Sequence, residues 1–222
     1  MRQEQDFILL IMNCQKYRNK ALHQKKDWLL NLPSKIIYYH VIGNINLEKN
    51  YFFNEDERIL WVKTDDDYNS LPKKVIAAYE AINNSFLFKY ILKTDDDQKL
   101  INIKLFDTII NILSVKTPQI HYGGNIVDVP FAYLSQYYKI HPELPKHLPV
   151  YQTKYCNGRF YFLSNLAVLD LISKKYKIEQ EFLEDYAVGY NLNELLKVNT
   201  LDIKTDKYFK DYLVSEYNNS TM

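Results

Sequence analysis

Six consecutive apolar residues, Phe7-Ile8-Leu9-Leu10-Ile11-Met12, constrain this chain more than any other stretch. A half-exposed strand alternates apolar with polar residues, and a surface helix spaces them by three or four. A short unbroken run instead fits a strand buried on both faces, as in a parallel sheet covered by helices. Ile36–Ile42, Ile59–Val62 and Phe88–Leu92 read as further strands. Helical patterns lie between and after them. Ala21–Leu30 is stopped by Pro33, and Leu71–Ile82 carries Leu71, Val75, Ala78, Tyr79 and Ile82 at helical spacing. Asn69 or Ser70 is placed to cap that second helix, with Pro72 in its first turn. Leu105–Leu113, Leu166–Ile172 and Glu184–Leu196 read as helices, and Ile203–Met222 as a mixed tail able to pack back as one. Ile120–Tyr122 opens a strand that Gly123-Gly124 should end, and Tyr155–Ser164 reads as a loop followed by a strand. Strands alternating with helices predict an α/β fold with a mostly parallel central sheet flanked by helices.

With 222 residues, 47% of them hydrophobic and 25% charged, the chain suits a single domain over 1–222. A net charge of +1 with interspersed signs gives no electrostatic case for nucleic acid. No apolar run approaches about 18 residues, so no transmembrane segment is expected. The polar start leads straight into the first strand and does not read as a signal peptide. Two cysteines, Cys14 and Cys156, imply no disulfide framework and point to a reduced, cytoplasmic setting. Abundant Asn, Ile, Lys and Tyr with five glycines suggest AT-rich codons, as in a parasite or a large virus acting in its host's cytoplasm.

The strand at Phe88–Leu92 runs into Lys93-Thr94-Asp95-Asp96-Asp97. Three adjacent carboxylates repel one another and compete for backbone hydrogen bonds, so the strand should stop there. On an extended chain Asp95 and Asp97 share a face, and two hard oxygen donors suit Mg²⁺ or Mn²⁺. A solvated acidic turn is the simpler alternative. The same pentapeptide occurs at Lys63–Asp67, also after a strand, and two such strand ends should lie near each other at the carboxyl edge of the sheet. No GxGxxG or GxxxxGK[ST] loop is present, so a nucleotide would need another device.

Four stretches in order carry a resemblance. They are Asp66-Asp67-Tyr68-Asn69-Ser70-Leu71-Pro72-Lys73-Lys74, then Lys93–Asp97, then Tyr155–Ser164, then Glu184-Asp185-Tyr186-Ala187-Val188-Gly189. They resemble the D-x-Y-x-N-L-x-x-K, K-T-D-D-D, Y-C-x-G-x-x-Y-x-L-S and E-D-V-x-x-G motifs of the β-1,3-galactosyltransferase and fringe-like inverting glycosyltransferases. The likeness implies a glycosyltransferase-A fold, Rossmann-like, with a DxD motif at a strand end. It divides the chain into a nucleotide-sugar part, about 7–125, and an acceptor part, about 126–222.

The resemblance implies transfer of galactose, glucose or an N-acetylhexosamine from a UDP-sugar to a hydroxyl of a glycan or glycoconjugate, with inversion and a β-1,3 linkage. Asp95, Asp96 and Asp97 are then the metal residues for Mn²⁺ or Mg²⁺, with Asp95 or Asp96 also facing the ribose. Asp185 is the implied general base and Glu184 its alternative, although both residue types also simply favour a helix N-terminus. Lys74, Gly158 and Arg18 are implied on the donor side. Aromatics of 131–138 could stack on acceptor sugars, although packing is the commoner explanation for aromatics in a chain with 20 tyrosines. Some positions depart from the family pattern. Arg159-Phe160 replace glycines and would narrow the pocket, and no histidine follows the Glu-Asp pair, leaving Asp202 or Asp206 as a third metal ligand. These departures keep open a non-catalytic, glycan- or protein-binding member of the same fold.

Overall fold

The computed structural model of the chain describes residues 2–115, 119–213 and 216. The strands that build the main sheet and flank the site are β1 (Phe7–Met12), β2 (Ile36–Gly43), β3 (Tyr51–Asn54), β4 (Ile59–Val62), β5 (Tyr90–Asp95), β6 (Gln98–Leu100), β7 (Tyr122–Val129), β8 (Thr153–Ser164), β9 (Leu201–Asp202) and β10 (Phe209–Asp211). The main helices are α1 (Arg18–Lys26), α2 (Leu71–Ser85), α3 (Lys104–Val115), α4 (Asn165–Ser173) and α5 (Glu184–Asn191). Eight strands form one sheet in the order β9-β7-β8-β5-β1-β2-β4-β3. β5, β1, β2 and β4 run parallel, β3 is antiparallel at the edge, and β8 is antiparallel between β5 and β7. β6 and β10 pair separately beside it.

The unbroken run of β1 does what its composition demands. Ile8, Leu10 and Met12 enter one core with Val75, Tyr79 and Ile82 of α2 and Val188 of α5. Phe7, Leu9 and Ile11 enter the other with Trp28, Phe106, Ile109 and Phe162. None of the six is more than 3% exposed, so both sheet faces are covered at this strand. The expected α/β architecture, mostly parallel and flanked by helices, is present.

Several local expectations are corrected. Gly123 and Gly124 lie inside β7 instead of ending it. A Cβ on Gly123 would run into the Phe162 ring, and one on Gly124 would sit 2.7 Å from the Phe160 carbonyl oxygen, so the pair permits close packing of β8. β8 is one twelve-residue strand whose pairing with β7 slips between Cys156 and Tyr161, so the expected loop is an irregular stretch within it. The helix expected over Glu184–Leu196 breaks after Asn191, where Leu192 turns extended and Asn193 caps a new turn through the Leu195 N–H. Neither Asn69 nor Ser70 caps α2 with its side chain; the Asp67 carboxylate accepts from the Ser70 N–H at 2.8 Å. β10 stands where the C-terminal tail was expected to be helical, and residues 214–215 and 217–222 of that tail lie outside the described residues. Both cysteines are free thiols, and among the described residues no helix is long and apolar enough to cross a membrane.

Parallel strands deliver their carboxyl ends to one edge, so Met12, Gly43, Val62 and Asp95 all terminate there. The first copy of the pentapeptide follows β4, and the second begins within β5, which runs on to Asp95. β1 and β2 stand between those strands, and at about 4.8 Å per strand they are separated by about 14 Å.

Candidate active site

Asp95 is the last residue of β5, and Asp96-Asp97 form the turn into β6. The strand alternation that placed Asp95 and Asp97 on one face therefore ends at Asp95. The turn is anchored from beneath. Gln24 of α1, fully buried, donates to the carbonyls of Asp95 (3.2 Å) and Gln98 (2.9 Å). Trp28 Nε1 also donates to the Gln98 carbonyl, at 3.2 Å, and the Asp96 N–H to Met12 O, at 3.1 Å. Asp96 pairs with Lys20 at 3.1 Å, and Asp97 Oδ1 accepts from Gln98 Nε2 at 2.8 Å.

Lys93 faces the α5 side and is 1% exposed. Its ammonium lies 2.8 Å from Asp95 Oδ1 and 2.8 Å from Glu184 Oε2, and donates to the Gly158 carbonyl at 2.9 Å. Burial favours the neutral amine, but the Asp95 and Glu184 carboxylates outweigh it and hold Lys93 protonated. The other oxygen of Glu184 accepts from Tyr161 OH, which is also 2.8 Å from Tyr79 OH. Glu184 is thus spent on interior partners. Asp185 Oδ2 accepts from the Gly158 N–H at 2.9 Å and Oδ1 from its own Tyr186 N–H at 2.8 Å.

Gly158 sits in the irregular stretch of β8, between these groups. The point where its Cβ would lie is 3.3 Å from Lys93 Nζ, 3.4 Å from Asp95 Oδ2 and 3.7 Å from Asp185 Oδ2. Three of the sequence motifs therefore meet across a space kept free by one absent side chain. Burial pushes Asp95 up to about 7, against Lys93 and helped by Asp97 and Glu184. Burial likewise takes Asp96 up to about 6 despite Lys20, and Asp185 up to about 6, with Glu184 adding and Lys93 and the two backbone donors opposing.

Burial raises these carboxylates even beside Lys93 and Lys20, and their oxygens are of the kind a hard divalent ion takes. Among the described residues no group of three or more His, Cys, Asp or Glu could hold an ion. Asp95 and Asp97 are the residues that could hold such an ion, and they do not form a closed protein cage.

Other residues singled out from sequence have different surroundings. Lys74, 1% exposed, is bound to Asp66 at 2.5 Å and to the Asn13 carbonyl at 2.9 Å. Arg18 pairs with Glu57, and the basic residue of α1 that reaches the triplet is Lys20. Arg159 does not narrow the cleft. It pairs with Asp206 (2.8 Å) and Asp211 (2.9 Å), while Phe160 is buried with Phe106 and Phe209. Asp202 pairs with Lys204 and Asp206 with Arg159, so neither joins the triplet. Burial pushes the Cys156 thiol up to about 12, which suits packing and not nucleophilic attack. Near Asp185, burial and then the Asp185 charge raise the hydroxyls of Tyr68 and Tyr155, and likewise that of the half-exposed Tyr137, with Asp95 also acting on Tyr68. The Tyr68 ring stacks on His141 at 4.1 Å, docking the 131–148 excursion beside the site.

A cleft of about 680 Å³ opens elsewhere, along the far ends of β7 and β8. Its charged lining is mutually paired, Lys154 with Asp128 at 3.1 Å and Lys197 with Glu194 at 2.5 Å.

Comparison with known proteins supports the family resemblance. A family model described as galactosyltransferase matches residues 17–204. No curated protein sequence matches this one. Among solved structures, the glycosyltransferase GlyE of Streptococcus pneumoniae TIGR4 is 12% identical with a TM-score of 0.45, over 92% of this chain and 46% of that chain. The chain thus spans less than half of that protein. A glycosyltransferase involved in glycosylation of the major capsid of PBCV-1 is 9% identical with a TM-score of 0.48, covering 98% of this chain and 100% of that one. The galactosyltransferase LgtC, solved with donor and acceptor sugar analogs, is 10% identical with a TM-score of 0.46, over 90% of this chain and 73% of that one. Likeness at this level says nothing about substrate. The family match spans the triplet, the Gly158 stretch and the Glu184-Asp185 pair together, and the chain belongs to the galactosyltransferase family.

Proposed function

We propose that the chain transfers a sugar from a UDP-sugar to an acceptor hydroxyl with inversion, forming a β-linkage, β-1,3 by its motifs. The observation that carries the reading is the shared space at Gly158, which Asp95 Oδ2 and Asp185 Oδ2 border from opposite motifs. An inverting displacement needs a base on the acceptor side and charge stabilisation on the leaving side. Asp185 takes the hydroxyl proton as the acceptor oxygen bonds to the anomeric carbon and the bond to UDP breaks, its electron pair leaving with UDP. Two backbone N–H groups fix the orientation of Asp185. Asp95 and Asp97 are the residues to hold Mn²⁺ or Mg²⁺, which when bound supplies positive charge to the departing diphosphate. Tyr68, Tyr137 and Tyr155 give the acceptor side hydroxylated aromatic faces suited to a glycan.

The test is UDP release from a panel of UDP-sugars with Mn²⁺ and glycan acceptors. Asp97→Ala is expected to lose both transfer and UDP binding, and Asp185→Asn transfer alone. Full activity in either variant overturns the assignment. A second reading, a non-catalytic glycan-binding member, is favoured by the lack of a three-residue metal cluster among the described residues. Its signature is glycan binding without UDP binding.

A further inference from the structure

We infer that Lys93 is the positioning residue that couples the donor half of the site to its base. A lysine inside a strand buried on both sides is costly unless its charge is matched. Here the ammonium has three partners from three segments: Asp95 of the triplet, Glu184 of α5 and the Gly158 carbonyl of β8. Two of those bonds orient reacting groups. The bond to Asp95 Oδ1 turns Oδ2 towards the space at Gly158. The bond to the Gly158 carbonyl fixes the peptide stretch whose N–H holds Asp185 Oδ2. Glu184 is the third partner, buried and tied to Tyr161, and it balances the charge that would otherwise be unmatched. One ammonium therefore sets both the Asp95 and the Asp185 orientation, and neither can move alone.

The competing account is that Lys93 only neutralises Glu184. Lys93→Met together with Glu184→Gln separates the two, because Glu184, the deeply buried partner, loses its charge along with the lysine, while Asp95, a third exposed, keeps access to solvent. The kinetic arm of the test rests on the transferase reading, and the spectroscopic arm does not. The chain has five glycines, so ¹⁵N-glycine labelling gives five backbone amide signals, and Gly158→Ala identifies the one from Gly158. In the double variant the Gly158 amide is expected to exchange at least tenfold faster than in the unmodified protein at equal thermal stability. Its kcat is expected to fall about a hundredfold, the scale of an ångström of misplacement, with a raised donor KM. Wild-type exchange at Gly158, or kcat within threefold of wild type, overturns the proposal. If the double variant does not fold, ¹⁵N-lysine labelling of the unmodified protein decides. A slowly exchanging side-chain ammonium that persists in Lys74→Arg, which removes the signal of the other buried lysine, and that shifts when UDP and Mn²⁺ are added supports the bridge, and the absence of any such protected ammonium refutes it. Protection of Gly158 and the ammonium without UDP release from any donor would leave the bridge standing and sink the transferase reading instead.

Discussion

Gly158→Ala isolates the geometry of the site from the stability of the fold. No glycine in the described residues has positive φ, so alanine meets no backbone penalty at this position. The added methyl would lie 3.3 Å from Lys93 Nζ, 3.4 Å from Asp95 Oδ2 and 3.7 Å from Asp185 Oδ2. The first of these contacts is tight and needs a shift of a few tenths of an ångström; the others are ordinary or nearly so. Loss of glycine entropy in the unfolded chain offsets that strain by about 0.4–1 kcal/mol. Folding stability is therefore expected to stay within about 1 kcal/mol of the parent. The cleft does not stay the same. The methyl occupies the space between the two carboxylate oxygens and displaces a reacting centre by about 1 Å, a misplacement worth about a hundredfold in rate. The assay is initial-rate UDP release beside a thermal melt. A variant that melts with the parent and transfers within threefold of it would refute the claim that the reacting atoms meet there.

Burial holds Asp185 at about 6, so transfer, followed as UDP release between pH 8 and pH 5, is expected to fall as pH drops through that value, and a flat profile would count against Asp185 as the base. The same shift has a stability sign. The folded pKa lies above the unfolded one, so the contribution of Asp185 is fully present in acid and lost as pH rises through about 6. Asp185→Asn should be more stable than the parent at pH 8, by about 1–2 kcal/mol after allowing for its partial exposure; a less stable variant would contradict this. Gln24→Met strips the Asp95 and His40 hydrogen bonds and one of the two to the Gln98 carbonyl, and a loss of about 2–3 kcal/mol is expected in urea melts. An unchanged midpoint would count against the anchoring role. Tyr137→Ala is expected to raise the acceptor KM severalfold and leave the donor KM alone, and the reverse pattern would move Tyr137 to the donor side.

The fold was legible where apolar pattern alone decides it. β1, β2, β4 and α2 are strongly patterned and lie close to the expected bounds. β3 was hidden because an antiparallel edge strand needs little burial, and Tyr51-Phe52-Phe53 sits among polar residues with Phe52 54% exposed. Gly123-Gly124 looked like a stop because pattern shows a missing side chain and not the Phe162 ring that requires it missing. In the site, Asp95, Gly158 and Asp185 carried motif signals. Gln24 and Lys20 carried none, since their roles depend on α1 lying under the turn after β5. Lys93 did leave a trace: a lysine following Tyr90-Ile91-Leu92 in a strand buried on both faces must be paired. What no periodicity could give is which carboxylates pair with it, because those come from 91 residues downstream as well as from two.

The two copies of Lys-Thr-Asp-Asp-Asp show how little of a site belongs to the peptide itself. After β4 the lysine, Lys63, is exposed and the strand has already ended at Val62. Asp66 then turns inward to Lys74 and the Gly43 N–H, Asp67 accepts from the Ser70 N–H just before α2, and the copy becomes scaffold for the carboxyl edge of the sheet. At β5 the same lysine and threonine are still in the strand, because β1 pairs on one side and β8 on the other. Pairing on both sides forces Lys93 into the interior. An interior ammonium requires carboxylates, and α5 supplies Glu184 at the point where its first turn also presents Asp185. Identical local chemistry thus yields a structural turn at one strand end and a candidate catalytic centre at the other. The difference lies in the antiparallel strand β8, whose irregular stretch brings Gly158 to the triplet. β8 is accordingly the element that converts an acidic strand end into a site.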